Sequence, residues 1–156
     1  MKILMVCLGN ICRSPIAQGI MQAALKKYNL PGFVDSAGLL TYHAGHAPDK
    51  RAIRISADNN VDISKQLARQ IKRSDFDEFD FIFSMDRSVH SSILEMAPSE
   101  IHRKKVHLFL EYAGQGSGSE VPDPYYSGIE AFHQVFDLVD EACEMIVQKW
   151  HPELKP

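Results

Sequence analysis

The sequence predicts an α/β fold: a single domain over residues 1–156, with a four-stranded parallel twisted sheet and helices on both faces. Strand-like and helix-like patterns alternate along the chain, which is the order of a doubly wound sheet. Two of the strand-like runs are continuously apolar or aromatic, as burial on both faces requires. A chain of 156 residues also buries roughly two thirds of its unfolded surface, so its core needs no disulfide or metal.

The predicted strands, in chain order, cover residues 2–6, 32–36, 79–84 and 105–110. The first run imitates the apolar segment of a signal peptide. It is short, however, and Asn10 and Arg13 follow it at once, so we interpret it as a buried strand. The run at 79–84 is apolar and aromatic throughout most of its length, which is typical of a second buried strand.

The predicted helices cover residues 15–28, 50–58, 87–96 and 129–150. The first has the clearest beginning, because Ser14 is a good N-cap and Pro15 fits the first helical position. Asp86 is predicted to cap the helix that follows the third strand. The last helix carries an apolar stripe at helical spacing that includes Cys143, so we expect this cysteine in the core.

Composition excludes several classes of function. The chain has 17 basic and 20 acidic residues, and its net charge of -3 argues against a nucleic-acid-binding protein that relies on a broad cationic face. No apolar run approaches the roughly 18 residues of a membrane span, so we expect no membrane insertion. Three cysteines, an odd number, favour a reducing compartment and therefore the cytoplasm.

The segment between the first strand and the first helix has the features of a phosphate-binding loop. In a parallel sheet, ligands bind where a strand ends and the chain turns into a helix. There, loop amides and the helix N-terminus both attract an anion. Gly9 and Asn10 most easily adopt the positive φ that such a loop needs at least once, and Arg13 supplies a planar fork for two phosphate oxygens. The predicted loop residues are Leu8, Gly9, Asn10, Ile11, Cys12 and Ser14.

Cys7 lies at the end of the first strand, below this loop, and is the candidate nucleophile. The positive field of the loop favours the thiolate over the thiol. The Ser14 hydroxyl is placed to donate a hydrogen bond to that thiolate. Expulsion of an alkoxide or phenoxide also needs a general acid, which contributes about 100- to 10,000-fold. The candidate is Asp123, because flanking prolines stiffen its backbone and the glycine-rich stretch 114–119 precedes it.

Cys7-Leu8-Gly9-Asn10-Ile11-Cys12-Arg13-Ser14-Pro15, combined with Asp123-Pro124-Tyr125-Tyr126, resembles the low-molecular-weight protein tyrosine phosphatases. The resemblance extends over nearly the whole chain and includes residues 35–38, 68–71 and 81–86. It implies a phosphatase that hydrolyses phosphotyrosine and small aryl phosphates through a cysteinyl-phosphate intermediate. Inorganic phosphate is the product, and no metal or organic cofactor takes part.

The resemblance also implies a role for each site residue. Cys7 attacks phosphorus in line, while Arg13 and the loop amides hold the equatorial oxygens. Asp123 protonates the departing phenolate and then activates the hydrolytic water. Asn10 and Ser36 occupy positions that, in the family, brace the loop through hydrogen bonds.

The same resemblance predicts that the aromatic side chains of Tyr42, Tyr125 and Tyr126 form the walls of a pocket for phosphotyrosine, in a tyrosine-phosphorylated protein or peptide. A monomer is the expected state.

Cys12 has two interpretations: a small side chain packed beneath the loop, or a redox partner that captures oxidised Cys7 in a reversible disulfide.

Three alternatives are less well matched. Related arsenate reductases carry two further cysteines after the third strand, and residues 84–94 contain none. Phosphoarginine phosphatases have a threonine where this chain has Ile11, and the apolar side chain favours a phenolic ester. A non-catalytic phosphopeptide-binding module would keep Arg13 but need neither the nucleophile nor the acid, and both are present.

Some residues admit a structural or a functional interpretation. His43 and His46 suggest a metal pair, but no third ligand is near them in sequence, so surface histidines are expected. Together with Lys50 and Arg51, they predict a mildly cationic rim that favours acidic phosphopeptides. Arg69 is expected to form a structural ion pair.

Overall fold

The computed structural model describes all residues, 1–156, and confirms the α/β class. One sheet of four parallel strands has the spatial order β2-β1-β3-β4, so β1 lies in the interior between β2 and β3. The strands are β1 (Lys2–Cys7), β2 (Phe33–Gly38), β3 (Phe81–Ser84) and β4 (Val106–Leu108). Because all four run in the same direction, their carboxyl ends meet at one edge of the sheet.

Seven helices connect and cover the strands. They are α1 (Arg13–Lys27), α2 (Lys50–Asp58), α3 (Asp75–Glu78), α4 (Arg87–Met96), α5 (Glu100–Arg103), α6 (Phe109–Ala113) and α7 (Ile129–Trp150), with a final 3₁₀ turn at Pro152–Leu154. The four longest match the predicted helices. None of the seven is long and apolar enough to cross a membrane.

The alternation of side chains along β1 divides the core into two parts. Ile3, Met5 and Cys7 pack into a cluster that contains side chains of α1, α2, α6 and α7, whereas Leu4 and Val6 pack into a second cluster with α3 and α4. Successive side chains of a strand point to opposite faces, so a continuously apolar strand requires cover on both. This arrangement confirms the prediction of helices on both faces.

Several predicted boundaries are wrong. The strand predicted for 32–36 spans Phe33–Gly38, the strand predicted for 79–84 begins at Phe81, and the helix predicted for 15–28 ends at Lys27. The strand predicted for 105–110 ends at Leu108, and Phe109 begins α6. A short apolar run does not distinguish a buried strand from a buried helix, and here Phe109 packs into the larger cluster from a helix. The first helix begins at Arg13 after Cys12, so Ser14 is not its N-cap. The Ser14 hydroxyl instead contacts Cys7.

Two structural predictions are confirmed. Asp86 caps α4, since its carboxylate accepts a hydrogen bond from Val89 N at 2.8 Å. Cys143 is fully buried in the larger cluster, on the core side of α7.

Close backbone packing supports the loop at the carboxyl end of β1. Gly38 pairs with Cys7 at the end of β2. A Cβ at Gly38 would lie 2.8 Å from Leu8 O and 3.0 Å from Asn10 N, both backbone atoms. Only glycine therefore lets β2 approach the loop this closely.

Candidate active site

Asn10 determines the path of the phosphate-binding loop. Its φ of 58° provides the left-handed turn that the sequence predicts for Gly9 or Asn10. The Asn10 amide donates to Ser14 Oγ at 2.7 Å and to Ser36 Oγ at 3.0 Å, and its Oδ1 accepts from Arg69 N at 3.0 Å. Three segments of the chain thus hold one side chain, which stabilises a turn that non-glycine residues seldom adopt.

Cys7 lies at the floor of the site and is only 3% exposed. Its Sγ is 3.0 Å from Ser14 Oγ and accepts a hydrogen bond from Asn10 N at 3.3 Å. Hydroxyl and amide donors at these distances stabilise negative charge on sulfur. The geometry suits a thiolate nucleophile and, later, a thiolate leaving group.

A cavity of about 350 Å³ opens above Cys7 and contains most of the predicted site residues. Besides Cys7, its lining consists of Leu8, Gly9, Ile11, Cys12, Arg13, Leu40, Tyr42, His43, Asp123, Tyr125 and Tyr126. The loop residue Asn10, together with Ser14 and Ser36, supports the loop from behind through the hydrogen bonds described above.

Arg13 is buried and held in a single orientation. Its Nη1 donates to Asp86 Oδ2 at 2.7 Å and to Val121 O at 3.1 Å. Nη2 is 3.8 Å from Asp123 Oδ2. Burial alone would lower the pKa of Arg13, but the negative charges of Cys7, Asp86 and Asp123 raise it above its ordinary value. The guanidinium is therefore a permanent cation beside the nucleophile.

Asp86 is a site residue that the sequence analysis assigned only to a helix cap. Its two carboxylate oxygens accept different hydrogen bonds: Oδ1 from Val89 N in the helix, and Oδ2 from Nη1 of Arg13. The only sequence signal was its position at the end of a strand.

Asp123 lines the cavity, and its side chain is 46% exposed. Its Oδ1 accepts a hydrogen bond from Tyr125 N at 3.1 Å, which fixes the carboxylate relative to its own backbone. Oδ2 is the oxygen nearest Arg13. A carboxyl group at this place can exchange a proton with a molecule bound above Cys7.

Three tyrosine side chains line the cavity. Tyr42 and Tyr126 are 82% and 94% exposed, whereas Tyr125 is partly buried. His43 also lines the cavity; the sequence analysis assigned it to a cationic rim and not to an aromatic wall. Its ring centroid lies 4.8 Å from that of Tyr42 and 6.4 Å from that of Tyr125. A Cβ at Gly9 would lie 3.3 Å from the His43 ring, so this ring packs closely against the loop.

The predicted cationic rim is only partly assembled around the cavity. His43 and His46 have ring centroids 6.2 Å apart, and no group of three or more side chains suited to a metal ion occurs in the chain. Arg51 forms an ion pair with Asp49 at 3.0 Å, so it adds no net charge to the rim.

Arg69 forms the predicted structural ion pairs. Its guanidinium contacts Asp35 at 3.0 Å and the buried carboxylate of Asp75 at 2.9 Å. Its backbone N–H supports Asn10, a link that the sequence did not indicate.

Cys12 and Cys7 line the same cavity and are both free thiols. Burial, followed by the charge of Asp49, raises the pKa of Cys12 well above its ordinary value. Cys12 is therefore a protonated thiol at neutral pH. Its redox role stays a prediction.

Comparison with known proteins gives a consistent result. Residues 2–155 match the family model described as low molecular weight phosphotyrosine protein phosphatase. A protein of that name from Schizosaccharomyces pombe is 41% identical over 143 residues, 89% of this chain and 90% of the relative. The crystal structure of a protein tyrosine phosphatase from Entamoeba histolytica superposes with a TM-score of 0.90 at 36% identity, covering 99% of both chains. The Drosophila arginine phosphatase superposes with a TM-score of 0.90 at 33% identity, covering 97% of this chain and 98% of its own.

Proposed function

The chain belongs to the low molecular weight phosphotyrosine protein phosphatase family, whose members hydrolyse phosphotyrosine through a cysteinyl-phosphate intermediate, and we propose that Cys7, Arg13 and Asp123 carry out that reaction in it. One observation carries the proposal. The sulfur, the guanidinium and the carboxylate line a single cavity of about 350 Å³ with aromatic walls.

In the first step, the Cys7 thiolate attacks phosphorus and forms an S–P bond while the bond from phosphorus to the tyrosine oxygen breaks. The Asp123 carboxyl group donates its proton to the departing phenolate. Arg13 and the loop amides hold the equatorial oxygens. Because Asp86 and Val121 O occupy Nη1 of Arg13, its Nη2 is left to bind the phosphoryl group.

In the second step, Asp123, now a carboxylate, takes a proton from a water molecule. That water attacks the phosphocysteine, the S–P bond breaks, and inorganic phosphate leaves. The Ser14 hydroxyl, 3.0 Å from Sγ, stabilises the thiolate as it is released.

We propose a phosphotyrosine side chain in a protein or peptide as the substrate of this cavity. Tyr42 and Tyr125 line the cavity and supply aromatic surface for the substrate ring. The burial of Cys7 at the cavity floor favours a long phosphorylated side chain over the short phosphoserine. We propose that the protein acts as a monomer and that its three free thiols are kept reduced in a compartment such as the cytoplasm.

Phosphoarginine is the second candidate substrate, since one structural neighbour is named an arginine phosphatase. Ile11 lines the cavity and presents an apolar surface. By the family resemblance, phosphoarginine phosphatases have a threonine at this position. We therefore expect kcat/KM for a phosphotyrosine peptide to exceed that for the matching phosphoarginine peptide. The opposite order would select the second candidate.

Trapping of the intermediate tests the proposal. The protein reacts briefly with an isotopically labelled aryl phosphate, acid stops the reaction, and mass spectrometry locates the phosphoryl group. We expect the label on Cys7, and we expect neither label nor turnover in Cys7→Ser. Turnover without label on any residue would overturn the mechanism.

A further inference from the structure

Arg51, the second residue of α2, contacts the segment that carries the proposed general acid. Its Nη1 donates to Ser127 O at 2.8 Å, and its Nη2 donates to Tyr125 O at 2.9 Å. Ser127 N and Pro124 O bond to each other within the segment, as do Tyr125 N and Asp123 Oδ1. The two hydrogen bonds that residues 122–127 receive from the rest of the chain both come from Arg51.

The Arg51 guanidinium is itself held in a fixed orientation. Its Nε donates to Asp49 Oδ1 and its Nη2 to Asp49 Oδ2, each at 3.0 Å, which is the bidentate geometry of a strong charge-assisted pair. The Phe132 ring centroid lies 4.4 Å from Cζ on another side. Burial alone would raise the pKa of Asp49, but the hydrogen bonds from Arg51 hold it below its ordinary value.

Asp49 extends the connection to the phosphate-binding loop. Its backbone N–H donates to Ile11 O at 2.8 Å, and its carboxylate caps α2. A continuous path therefore runs from the nucleophile's loop through Asp49 and Arg51 to the carbonyl of Tyr125. The N–H of the same Tyr125 residue bonds to the Asp123 carboxylate.

We propose that Arg51 is a positioning residue that sets the distance between the general acid and the nucleophile's loop. The inference rests on the proposed function, because it takes Asp123 to be the acid. Proton transfer requires the carboxyl oxygen to lie within hydrogen-bonding distance of the leaving oxygen. Loss of Arg51 removes both hydrogen bonds to the segment at 122–127 and leaves the longer contact of Asp123 with Arg13, at 3.8 Å. Displacement of a reacting group by 1 Å can cost on the order of 100-fold in rate.

The effect depends on the leaving group. A basic leaving group, such as the phenolate of phenyl phosphate, needs the proton from Asp123 in the step that forms the phosphocysteine. The dinitrophenolate of 2,4-dinitrophenyl phosphate leaves without it. The quantity to compare is kcat/KM, because it reports the steps up to formation of the phosphocysteine and does not include its hydrolysis.

Arg51→Gln tests the proposal, with Arg54→Gln as the matched control. Arg54 lies on the same helix, is exposed, and makes no hydrogen bond or ion pair through its side chain. For Arg51→Gln we expect kcat/KM to fall about 10- to 100-fold with phenyl phosphate and less than about threefold with 2,4-dinitrophenyl phosphate. Arg54→Gln should match the unmodified protein with both. Equal losses of kcat/KM with the two substrates would overturn the positioning role.

A double variant separates this inference from the proposed function. If Arg51 acts through Asp123, Asp123→Asn combined with Arg51→Gln loses no more kcat/KM with phenyl phosphate than Asp123→Asn alone. Losses that multiply would contradict the inference. Absence of any leaving-group dependence in Asp123→Asn alone would instead contradict the assignment of the acid.

Arg51→Lys provides a second variant that keeps the positive charge if Arg51→Gln does not fold. A lysine ammonium lacks the planar fork that joins Asp49 to two carbonyls, so we expect the same dependence on the leaving group. Full recovery of kcat/KM with phenyl phosphate in Arg51→Lys would show that charge alone suffices and would overturn the proposal.

Discussion

The Arg13 guanidinium and the Asp86 carboxylate form a partly buried ion pair at 2.7 Å that joins the phosphate-binding loop to the segment after β3. The same carboxylate caps α4 through its other oxygen. The orientation of Arg13 is thereby linked to the position of a helix in another part of the chain. A substitution at Asp86 should therefore change the affinity of the site for phosphate, although Asp86 does not itself bind the phosphate.

Asp86→Asn tests this link. Asparagine caps a helix as well as aspartate does, so the change removes the ion pair and spares the cap. A hydrogen bond to a charged group contributes about 1.5–3 kcal/mol, and we expect kcat/KM for a phosphotyrosine peptide to fall about 10- to 100-fold. The inhibition constant of inorganic phosphate should rise in parallel. An unchanged phosphate affinity would mean that Arg13 keeps its orientation without Asp86.

Two substitutions at Asn10 distinguish its backbone role from its side-chain role. Asn10→Gly keeps the positive φ but removes the hydrogen bonds to Ser14 and Ser36. Asn10→Ala removes these hydrogen bonds and also disfavours the positive φ. We therefore expect Asn10→Ala to be about 1 kcal/mol less stable than Asn10→Gly in urea unfolding. Both variants should lose activity, because neither supports the loop. Equal stability of the two would show that the left-handed turn is not retained.

Cys12→Ala tests the redox prediction. Peroxide oxidises Cys7 to a sulfenic acid; Cys12 then attacks that sulfur, water leaves, and a disulfide forms that an added thiol can reduce. We expect activity to recover in the unmodified protein but poorly in Cys12→Ala, where oxidation continues to irreversible acids. Because the pKa of Cys12 is raised by burial, disulfide formation should accelerate as pH rises. Full recovery of Cys12→Ala would contradict the prediction.

His107 should make stability depend on pH. Burial, and then the charges of His90 and Lys149, lower the pKa of His107 below its ordinary value of about 6.5. The unfolded chain therefore binds the proton more readily than the folded one. The folded state loses stability as pH falls through about 6.5, until the lower folded pKa is reached.

His107→Phe removes this titration and retains an aromatic ring, which suits the neighbouring Phe81, Phe83 and Tyr112 rings. Urea unfolding at about pH 7 and about pH 5 measures the difference. We expect the variant to lose less stability than the unmodified protein between these pH values. Equal losses would place the pH dependence elsewhere.

The fold class and the chemical core of the site could be read from the sequence because both depend on local patterns. The continuously apolar β1 predicted a doubly covered strand, and the helices at 50–58, 87–96 and 129–150 have the predicted bounds. The spacing between Cys7 and Arg13 predicted a loop around an anion, and the positive φ at Asn10 agrees with it. Cys7, Asn10 and Arg13 lie close in space because they are close in the chain.

Tertiary structure decided which distant side chains meet. Arg13 pairs with Asp86 and Arg51 donates to Ser127 across separations of 73 and 76 residues. No periodicity in the sequence records such pairs, since they arise only when helices and loops converge on one edge of the sheet. The sequence also did not reveal that Phe109 is helical, because a buried strand and a short buried helix are both rich in apolar residues. The sequence by itself determined which groups can react; packing determined how they are held.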